Sequence, residues 1–184
     1  MIIMYQSYMI FVSYIVPLSC ILITNKLASI VATNRSKLMR EPFTPLPDIF
    51  HDILPITNVN VPDYLLVMTV IYLFFYGYNV EEYNPLPCIQ SLLLRPFFVV
   101  STTLPSCLKD TKNDESSYYN KMFVSSHDLM YSGHTIVFLS LGEIIGGSVG
   151  SIIQYGFPIT LISSRQHYTI DVFVSFIVYH YFNT

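Results

Sequence analysis

The chain has 184 residues and is 52% hydrophobic, 15% aromatic and only 11% charged. This length fits one domain. Soluble domains carry roughly 25% charged residues, so the composition predicts lipid, not water, around much of the chain. A net charge of −3 without a basic tract argues against nucleic acid binding. Three cysteines without a CxxC spacing predict neither a zinc site nor a disulfide framework.

Six apolar runs follow one another along the chain, and we predict that each forms a helix in a membrane. They cover residues 2–25 (or 9–32), 64–78, 89–105, 129–145, 151–163 and 168–182. Several runs are shorter than the ~20 residues that span hydrocarbon, so flanking residues would have to extend them or the bilayer would have to thin. The predicted fold class is all-α: a single polytopic membrane helix bundle over residues 1–184, with about six transmembrane helices.

The start of the sixth run carries a histidine and an aspartate four residues apart, His167 and Asp171. On a helix this spacing puts both side chains on one face, within reach of each other. A hydrogen bond to the carboxylate would fix the imidazole tautomer and leave the other ring nitrogen as a nucleophile. Alone, the pair is equally consistent with a histidine and an aspartate that only stabilise each other at a membrane interface.

The start of the fourth run has the sequence Ser-Gly-His-Thr, residues 132–135. Ser132 is expected to be the N-cap and Gly133 the helix entry, so that exposed backbone N–H groups point at whatever lies above them. Helix N-termini attract phosphate, and His134 on the first turn is placed to give a proton to a leaving oxygen. Alone, this motif is equally consistent with a capped membrane helix that has an interfacial histidine.

Taken together, the two motifs indicate phosphoryl-transfer chemistry. Both lie at the first turn of an apolar run, and one intervening helix separates the two runs, so both histidines should lie on the same membrane face. A nucleophilic His167 oriented by Asp171, opposite His134 at a phosphate-binding helix start, is what transfer through a phosphohistidine requires.

Four ordered motifs resemble those of the sphingomyelin synthase family, a membrane branch of the type 2 phosphatidic acid phosphatase superfamily. The family's Pro-Leu-Pro-Asp matches residues 45–48, and its Arg followed by Thr-Thr-Leu-Pro matches Arg95 and residues 102–105. Its Asp-x-x-x-Ser-Gly-His-Thr matches Asp128 with residues 132–135, and its His-Tyr-Thr-x-Asp matches residues 167–171. The resemblance spans essentially the whole chain.

The resemblance implies a transferase mechanism without metal or cofactor. His167, aided by Asp171, would attack the phosphorus of a glycerophospholipid head group, and diacylglycerol would leave with a proton from His134. Ceramide would then accept the head group from the histidine, giving sphingomyelin or ceramide phosphoethanolamine. Arg165 would either touch phosphate or anchor the helix end. The residues expected to bind substrate are Asp128, Ser132, Gly133, Tyr168, Arg95 and Arg165.

The implied partners are a glycerophospholipid donor, a ceramide acceptor and the lipid bilayer. The resemblance implies an integral multi-pass membrane protein of the Golgi, endoplasmic reticulum or plasma membrane, with an exoplasmic active site. The positive-inside rule would instead put the basic loops, and the histidines with them, on the cytosolic side. The chain departs from the family motifs at residues 126–127 and 165–166, which leaves the choice among phosphocholine, phosphoethanolamine and phosphoinositol open.

Two other functions stay open at this point. One is a lipid phosphate phosphatase of the same superfamily with water as the acceptor, although the chain has no Lys-x6-Arg-Pro motif for holding free phosphate. The other is a non-catalytic sphingolipid-binding membrane protein, which would have no need of His134, His167 and Asp171 together.

Two further features are expected to be structural. Glu143 should form an interhelical hydrogen bond and take no part in catalysis. The Pro-Leu-Pro-Asp segment, residues 45–48, should shape a loop over the site because Pro and Asp favour turns.

Overall fold

The computed structural model describes residues 16–38, 46–76, 83–102 and 130–184. The α-helices in these ranges are α1 (Val16–Leu38), α2 (Ile49–Ile53), α3 (Val61–Tyr76), α4 (Leu86–Ser101), α5 (Gly133–Ile145), α6 (Gly147–Ser151), α7 (Phe157–Ser163) and α8 (Thr169–Phe182). A π-helical turn, Ile152–Gly156, joins α6 to α7. Because the described residues contain no strand, the all-α part of the predicted fold class is confirmed.

The predicted membrane architecture is wrong. Within the described ranges, no helix combines the length and the apolar character needed to cross a bilayer. α3 and α4 have 16 residues each, which at 1.5 Å per residue gives about 24 Å against a hydrocarbon core of about 30 Å. α1 has 23 residues, but these include Asn25, Lys26 and Arg35.

This finding contradicts two predictions, one made from the apolar runs and one from the family resemblance. The first is the polytopic bundle of about six transmembrane helices, and the second is the assignment to an integral multi-pass membrane protein of the Golgi, endoplasmic reticulum or plasma membrane with an exoplasmic site. Neither is supported by a membrane-spanning helix among the described residues. Composition misled because it does not distinguish long apolar helices from short ones. Many large apolar side chains are nevertheless exposed, among them Phe74, Phe75, Phe97 and Tyr181.

The fifth predicted helix, residues 151–163, is divided by the π-helical turn, and two glycines separate the segment before it from α5. Gly146 and Gly147 have φ angles of +66° and +58°, a left-handed conformation that glycine adopts without steric cost, and they separate α5 from α6. The π-helical turn comes immediately before Phe157 and Pro158. Pro158 has no N–H to donate to the carbonyl of Gln154, and the wider turn accommodates that missing hydrogen bond.

α5 lies at the centre of the fold and packs against α3, α4, α7 and α8. One apolar cluster joins Phe138 and Ile145 of α5 to side chains of the π-helical turn, α7 and α8. A second cluster joins Ile136 and Leu139 to Tyr131 and to α8. Burying each of these large side chains stabilises the fold by roughly 1.5–3 kcal/mol. These contacts hold the start of α5 in place.

α5 and α8 run in the same direction, as the order of the runs predicts. Near their starts, the Ser132 N–H donates a hydrogen bond to the carbonyl oxygen of Asp171 at 3.4 Å. Near their ends, the Tyr179 hydroxyl and the Asn183 side-chain amide donate to Glu143 at 2.6 and 2.7 Å. Glu143 is therefore an interhelical hydrogen-bonding group, as expected, and the two sequence motifs lie together at the opposite end of this helix pair.

Candidate active site

The N-terminal ends of α5 and α8 meet and bring the two sequence motifs into contact. Ser132 is the N-cap of α5, as predicted, and its hydroxyl accepts a hydrogen bond from the Thr135 N–H at 3.2 Å. Its own N–H donates to the carbonyl of Asp171 at 3.4 Å, and its carbonyl accepts from the Ser175 hydroxyl at 3.1 Å. Both the N–H and the carbonyl of the fully buried Ser132 are therefore hydrogen-bonded to α8.

His167 and Asp171 form the first histidine–aspartate pair of the site. His167 lies in the turn before α8, two residues upstream of its first residue, and not on the helix as the spacing predicts. Its Nδ1 is 3.6 Å from Oδ2 of Asp171, which is too long for a hydrogen bond but close enough for a strong charge interaction in a buried site. His167 is 7% exposed and Asp171 is fully buried.

The carboxylate of Asp171 is only partly satisfied. Its Oδ2 accepts a hydrogen bond from the Tyr168 N–H at 3.0 Å, whereas its Oδ1 has no hydrogen-bond partner within the described part of the chain. A buried, under-satisfied carboxylate is costly and such groups are often functional. The negative charge is therefore well placed to stabilise an imidazolium at His167.

His134 belongs to a second histidine–aspartate pair that the sequence analysis missed. It lies on the first turn of α5, as predicted, and its Nε2 is 3.0 Å from Oδ1 of Asp63 on the first turn of α3. Both side chains are partly exposed, so this histidine is open to a substrate. Asp63 lies at the first turn of an apolar run, the same signal that singled out His134 and Asp171, and that signal would have found it.

Arg95 extends from α4 to the start of α5. It is only 7% exposed, and its Nε donates to the carbonyl of Tyr131 at 2.7 Å while its Nη1 donates to Oδ1 of Asn25 at 2.9 Å. A Cβ atom placed on Gly133 would lie 3.5 Å from the Arg95 Nε. The guanidinium charge therefore lies directly beside the N-terminus of α5. A phosphate bound there would be stabilised both by this charge and by the N-terminus of the helix.

A segment formed by residues 46–54, here called the strap, crosses the turn that carries His167. Asp48 in the strap accepts three hydrogen bonds: from the Thr169 N–H at 2.6 Å, from the Thr169 hydroxyl at 2.8 Å and from the Phe50 N–H at 3.0 Å. Burial alone would raise the pKa of Asp48, but these hydrogen bonds outweigh it and hold the pKa below its usual value of 3.8.

The strap also binds the two residues before Thr169. The Leu46 N–H donates to the Tyr168 hydroxyl at 2.9 Å, and the His51 ring stacks on the Tyr168 ring with centroids 5.6 Å apart. Nε2 of His51 lies 3.1 Å from the carbonyl oxygen of His167. The expectation that residues 45–48 shape a loop over the site holds for residues 46–48, while Pro45 lies outside the described residues.

Arg165 holds the strap through hydrogen bonds to backbone carbonyls. Its guanidinium donates to the backbone carbonyls of His51, Leu54 and Ile162, and its backbone adopts a left-handed conformation with φ of +60°. Of the two roles expected for Arg165, contact with phosphate or anchoring, these contacts fit anchoring.

The structure brings most of the predicted substrate-binding residues to one place. Arg95 lies beside Gly133, Ser132 contacts α8, and Tyr168 adjoins the His167–Asp171 pair. Asp128 lies outside the described residues. The residues that sequence reasoning missed are Asn25, His51, Asp63 and Ser175, and for Asn25, His51 and Ser175 the sequence carries no signal because each acts through a contact between distant segments.

An open groove adjoins the site. It has a volume of about 390 Å³ and lies between residues 46–49 of the strap and four residues around the start of α8: Tyr168, Thr169, Ile170 and Phe173. Its walls are mainly apolar, and several of the side chains that form them are exposed to solvent. Such a groove fits an alkyl chain better than a polar ligand.

Comparison of the chain with known protein families found no matching family model, and comparison with curated proteins found no match. Across the described residues, no group of three or more His, Cys, Asp or Glu side chains lies close enough to hold a metal ion.

Proposed function

We propose that this chain transfers a phosphorylated head group from a glycerophospholipid to ceramide, through a covalent intermediate on His167. The contact between the starts of α5 and α8 carries the proposal. Through the hydrogen bond between Ser132 and Asp171, it joins the motif expected to attack phosphorus to the motif expected to move a proton.

In the first half-reaction, His167 is the nucleophile. Its Nδ1 faces Asp171, so Nε2 attacks phosphorus and a P–N bond forms. The bond between phosphorus and the glycerol oxygen breaks, and His134 in its protonated form gives that oxygen a proton, so diacylglycerol leaves neutral. The positive charge left on the ring of His167 is stabilised by the buried carboxylate of Asp171.

In the second half-reaction, His134 acts as the base. It removes the proton from the primary hydroxyl of ceramide, whose oxygen attacks phosphorus while the P–N bond breaks. His167 and the protonated His134 are then restored. Asp63, 3.0 Å from Nε2 of His134, orients this ring, which gives a proton in the first half-reaction and takes one in the second.

Charge on the phosphate is stabilised from two directions. The N-terminal N–H groups of α5 carry the positive end of the helix dipole, and Arg95 lies beside Gly133 at the same helix end. Stabilising charge as it develops on transferring phosphoryl groups is usually a large contribution to catalysis.

A lipid substrate is supported by the groove beside Tyr168 and Thr169. Its volume of about 390 Å³ falls in the range of small-molecule sites, and its mostly apolar walls provide a surface for an alkyl chain while the head group lies at the histidines. This adjacency favours a phospholipid over a water-soluble phosphate ester.

The proposal is tested with purified protein and fluorescent ceramide in mixed micelles. Phosphatidylcholine, phosphatidylethanolamine and phosphatidylinositol are supplied separately as donors, and the lipid products are separated by chromatography. A new fluorescent phosphosphingolipid is expected with at least one donor, and that donor identifies the head group that is transferred. His167→Ala should abolish the product.

The matched control is His180→Ala, because His180 lies on α8 and is exposed, so this variant should retain the activity. No product with any donor would contradict the proposal. Release of phosphate from phosphatidic acid would then indicate the phosphatase instead, and binding of ceramide without turnover would indicate a lipid-binding protein. Full activity in His167→Ala would contradict the mechanism even if the product forms.

A further inference from the structure

Three consecutive residues, His167, Tyr168 and Thr169, are each held by the strap. His51 contacts the carbonyl of His167, the Leu46 N–H donates to the Tyr168 hydroxyl, and Asp48 accepts from both the N–H and the hydroxyl of Thr169. The strap and this turn are more than 110 residues apart in sequence. We propose that Asp48 is a positioning residue that fixes the orientation of His167 toward Asp171 by holding the backbone of Thr169; this inference rests on the proposed function.

The geometry explains why Asp48 has this role. Thr169 is the first residue of α8, and its N–H is one of the helix-end donors that have no partner within the helix. A carboxylate at a helix N-terminus also interacts favourably with the helix dipole. Asp48 supplies both interactions, and because Thr169 follows His167 by two residues, fixing the Thr169 backbone fixes the turn on which His167 lies.

The position of His167 matters because its pairing with Asp171 is loose. The 3.6 Å separation between Nδ1 and Oδ2 is longer than a hydrogen bond, so the interaction within the pair depends on the position of the turn. The strap restrains this turn at three consecutive residues, alongside the hydrogen bonds from the N–H groups of Gln166 and His167 to the carbonyl of Leu161. Displacing a reacting group by 1 Å can cost about 100-fold in rate.

A first experiment reads the position of His167 without any substrate. The purified protein is treated with diethyl pyrocarbonate, which acylates imidazole, and the modification rates of His167 and His134 are measured in the same sample by mass spectrometry. In Asp48→Ala the rate at His167 should rise severalfold relative to the rate at His134. The matched control is Asp52→Asn, which removes an exposed carboxylate from helix α2 of the same strap and should leave the ratio unchanged.

A second experiment reads the consequence for turnover. Asp48→Ala should lower kcat by about tenfold or more, since a misplaced nucleophile affects the chemical step. Thr169→Val, which removes the hydroxyl, should have an intermediate effect, and Thr169→Ser, which keeps it, should lose less activity than Thr169→Val. The double variant of Asp48→Ala with Thr169→Val should be no worse than Asp48→Ala alone.

The outcomes separate this inference from the proposed function. An unchanged His167 modification ratio in Asp48→Ala would overturn the positioning role, whatever the activity. If the wild type transfers head groups and Asp48→Ala keeps the wild-type kcat, the positioning role fails and the proposed function stands. If the wild type makes no product but the ratio rises, the strap positions His167 and the proposed function fails. Thermal unfolding of each variant shows that it is folded, and Thr169→Val replaces Asp48→Ala should the latter not fold.

Discussion

The backbone N–H of Ser132 donates a hydrogen bond to the carbonyl oxygen of Asp171, across 3.4 Å. The two residues belong to different helices and lie 39 positions apart in the sequence (171 − 132). The Ser175 hydroxyl closes the contact by donating to the Ser132 carbonyl. This contact makes the starts of α5 and α8 one structural unit.

Replacing Asp171 by Asn should reduce turnover by roughly 10³–10⁴-fold, by analogy with the loss of tautomer control in other histidine–aspartate pairs. The amide keeps the size of the side chain but removes the charge that stabilises a protonated His167. The measurement is kcat with the best phospholipid donor, alongside the thermal unfolding midpoint. A variant that stays folded and retains wild-type kcat would show that Asp171 has no part in the chemistry.

Asp63→Asn should lower kcat by about 10–100-fold, less than the roughly 10²–10⁴-fold of a complete general acid–base contribution, because His134 keeps its ring but loses the carboxylate 3.0 Å from its Nε2. His134→Ala should lower kcat further. Adding Asp63→Asn to His134→Ala should then change nothing more, since residues that act as one unit are not additive. Asp52→Asn is the matched control, and multiplicative losses in the double variant would contradict the pairing.

The sequence predicts the order of the helices and the proximity of the two histidine motifs. The Ser132 cap, the common direction of α5 and α8 and the interhelical role of Glu143 follow from local pattern, and the structure has each of them. The spacing of His167 and Asp171 predicts their proximity for the wrong reason. His167 precedes the helix, and the turn, not a helical face, brings the pair together.

What the sequence does not predict depends on helix length and on contacts between distant segments. Apolar composition does not fix the length of each helix, and no helix in the described part of the chain is both long and apolar enough to cross a bilayer, which contradicts the membrane prediction. The partners Asp63 and His51 come from segments more than 70 residues away from the histidines they contact. Such contacts are set by the packing of distant segments. The position of Asp63 at the start of an apolar run marks the residue, but no local pattern identifies the partner of Asp63 or of His51.

The hydrogen bond from Tyr179 to Glu143 should stabilise the fold without affecting turnover. Tyr179 is fully buried, burial raises the pKa of its hydroxyl, and the protonated hydroxyl therefore donates to the carboxylate at 2.6 Å. Tyr179→Phe should lower the free energy of unfolding by about 1.5–3 kcal/mol, measured by urea titration. Tyr181→Phe, on the same helix but 74% exposed, should leave it nearly unchanged; equal losses in the two variants would contradict this account.

Asp48 should make stability depend on pH in the acid range. Burial opposes its ionisation, but the hydrogen bonds from Thr169 and Phe50 outweigh burial and hold the folded-state pKa below 3.8. The unfolded chain therefore binds the proton first as the pH falls, so the stabilisation is fully present above pH 3.8 and is lost as the pH drops through the folded-state pKa. Urea unfolding of wild type and Asp48→Asn should differ most near pH 6 and converge in strong acid; a difference independent of pH would contradict the pairing.

The most direct test of the central claim is isolation of the intermediate on His167. Protein is incubated without ceramide and with a phospholipid donor carrying ³²P in its head group, then digested, and the peptides are mapped by mass spectrometry. The account predicts an acid-labile, base-stable phosphoramidate on His167, which disappears when ceramide is added and does not form in His167→Ala. Product formation without any label on His167, or label on another residue, would contradict the account.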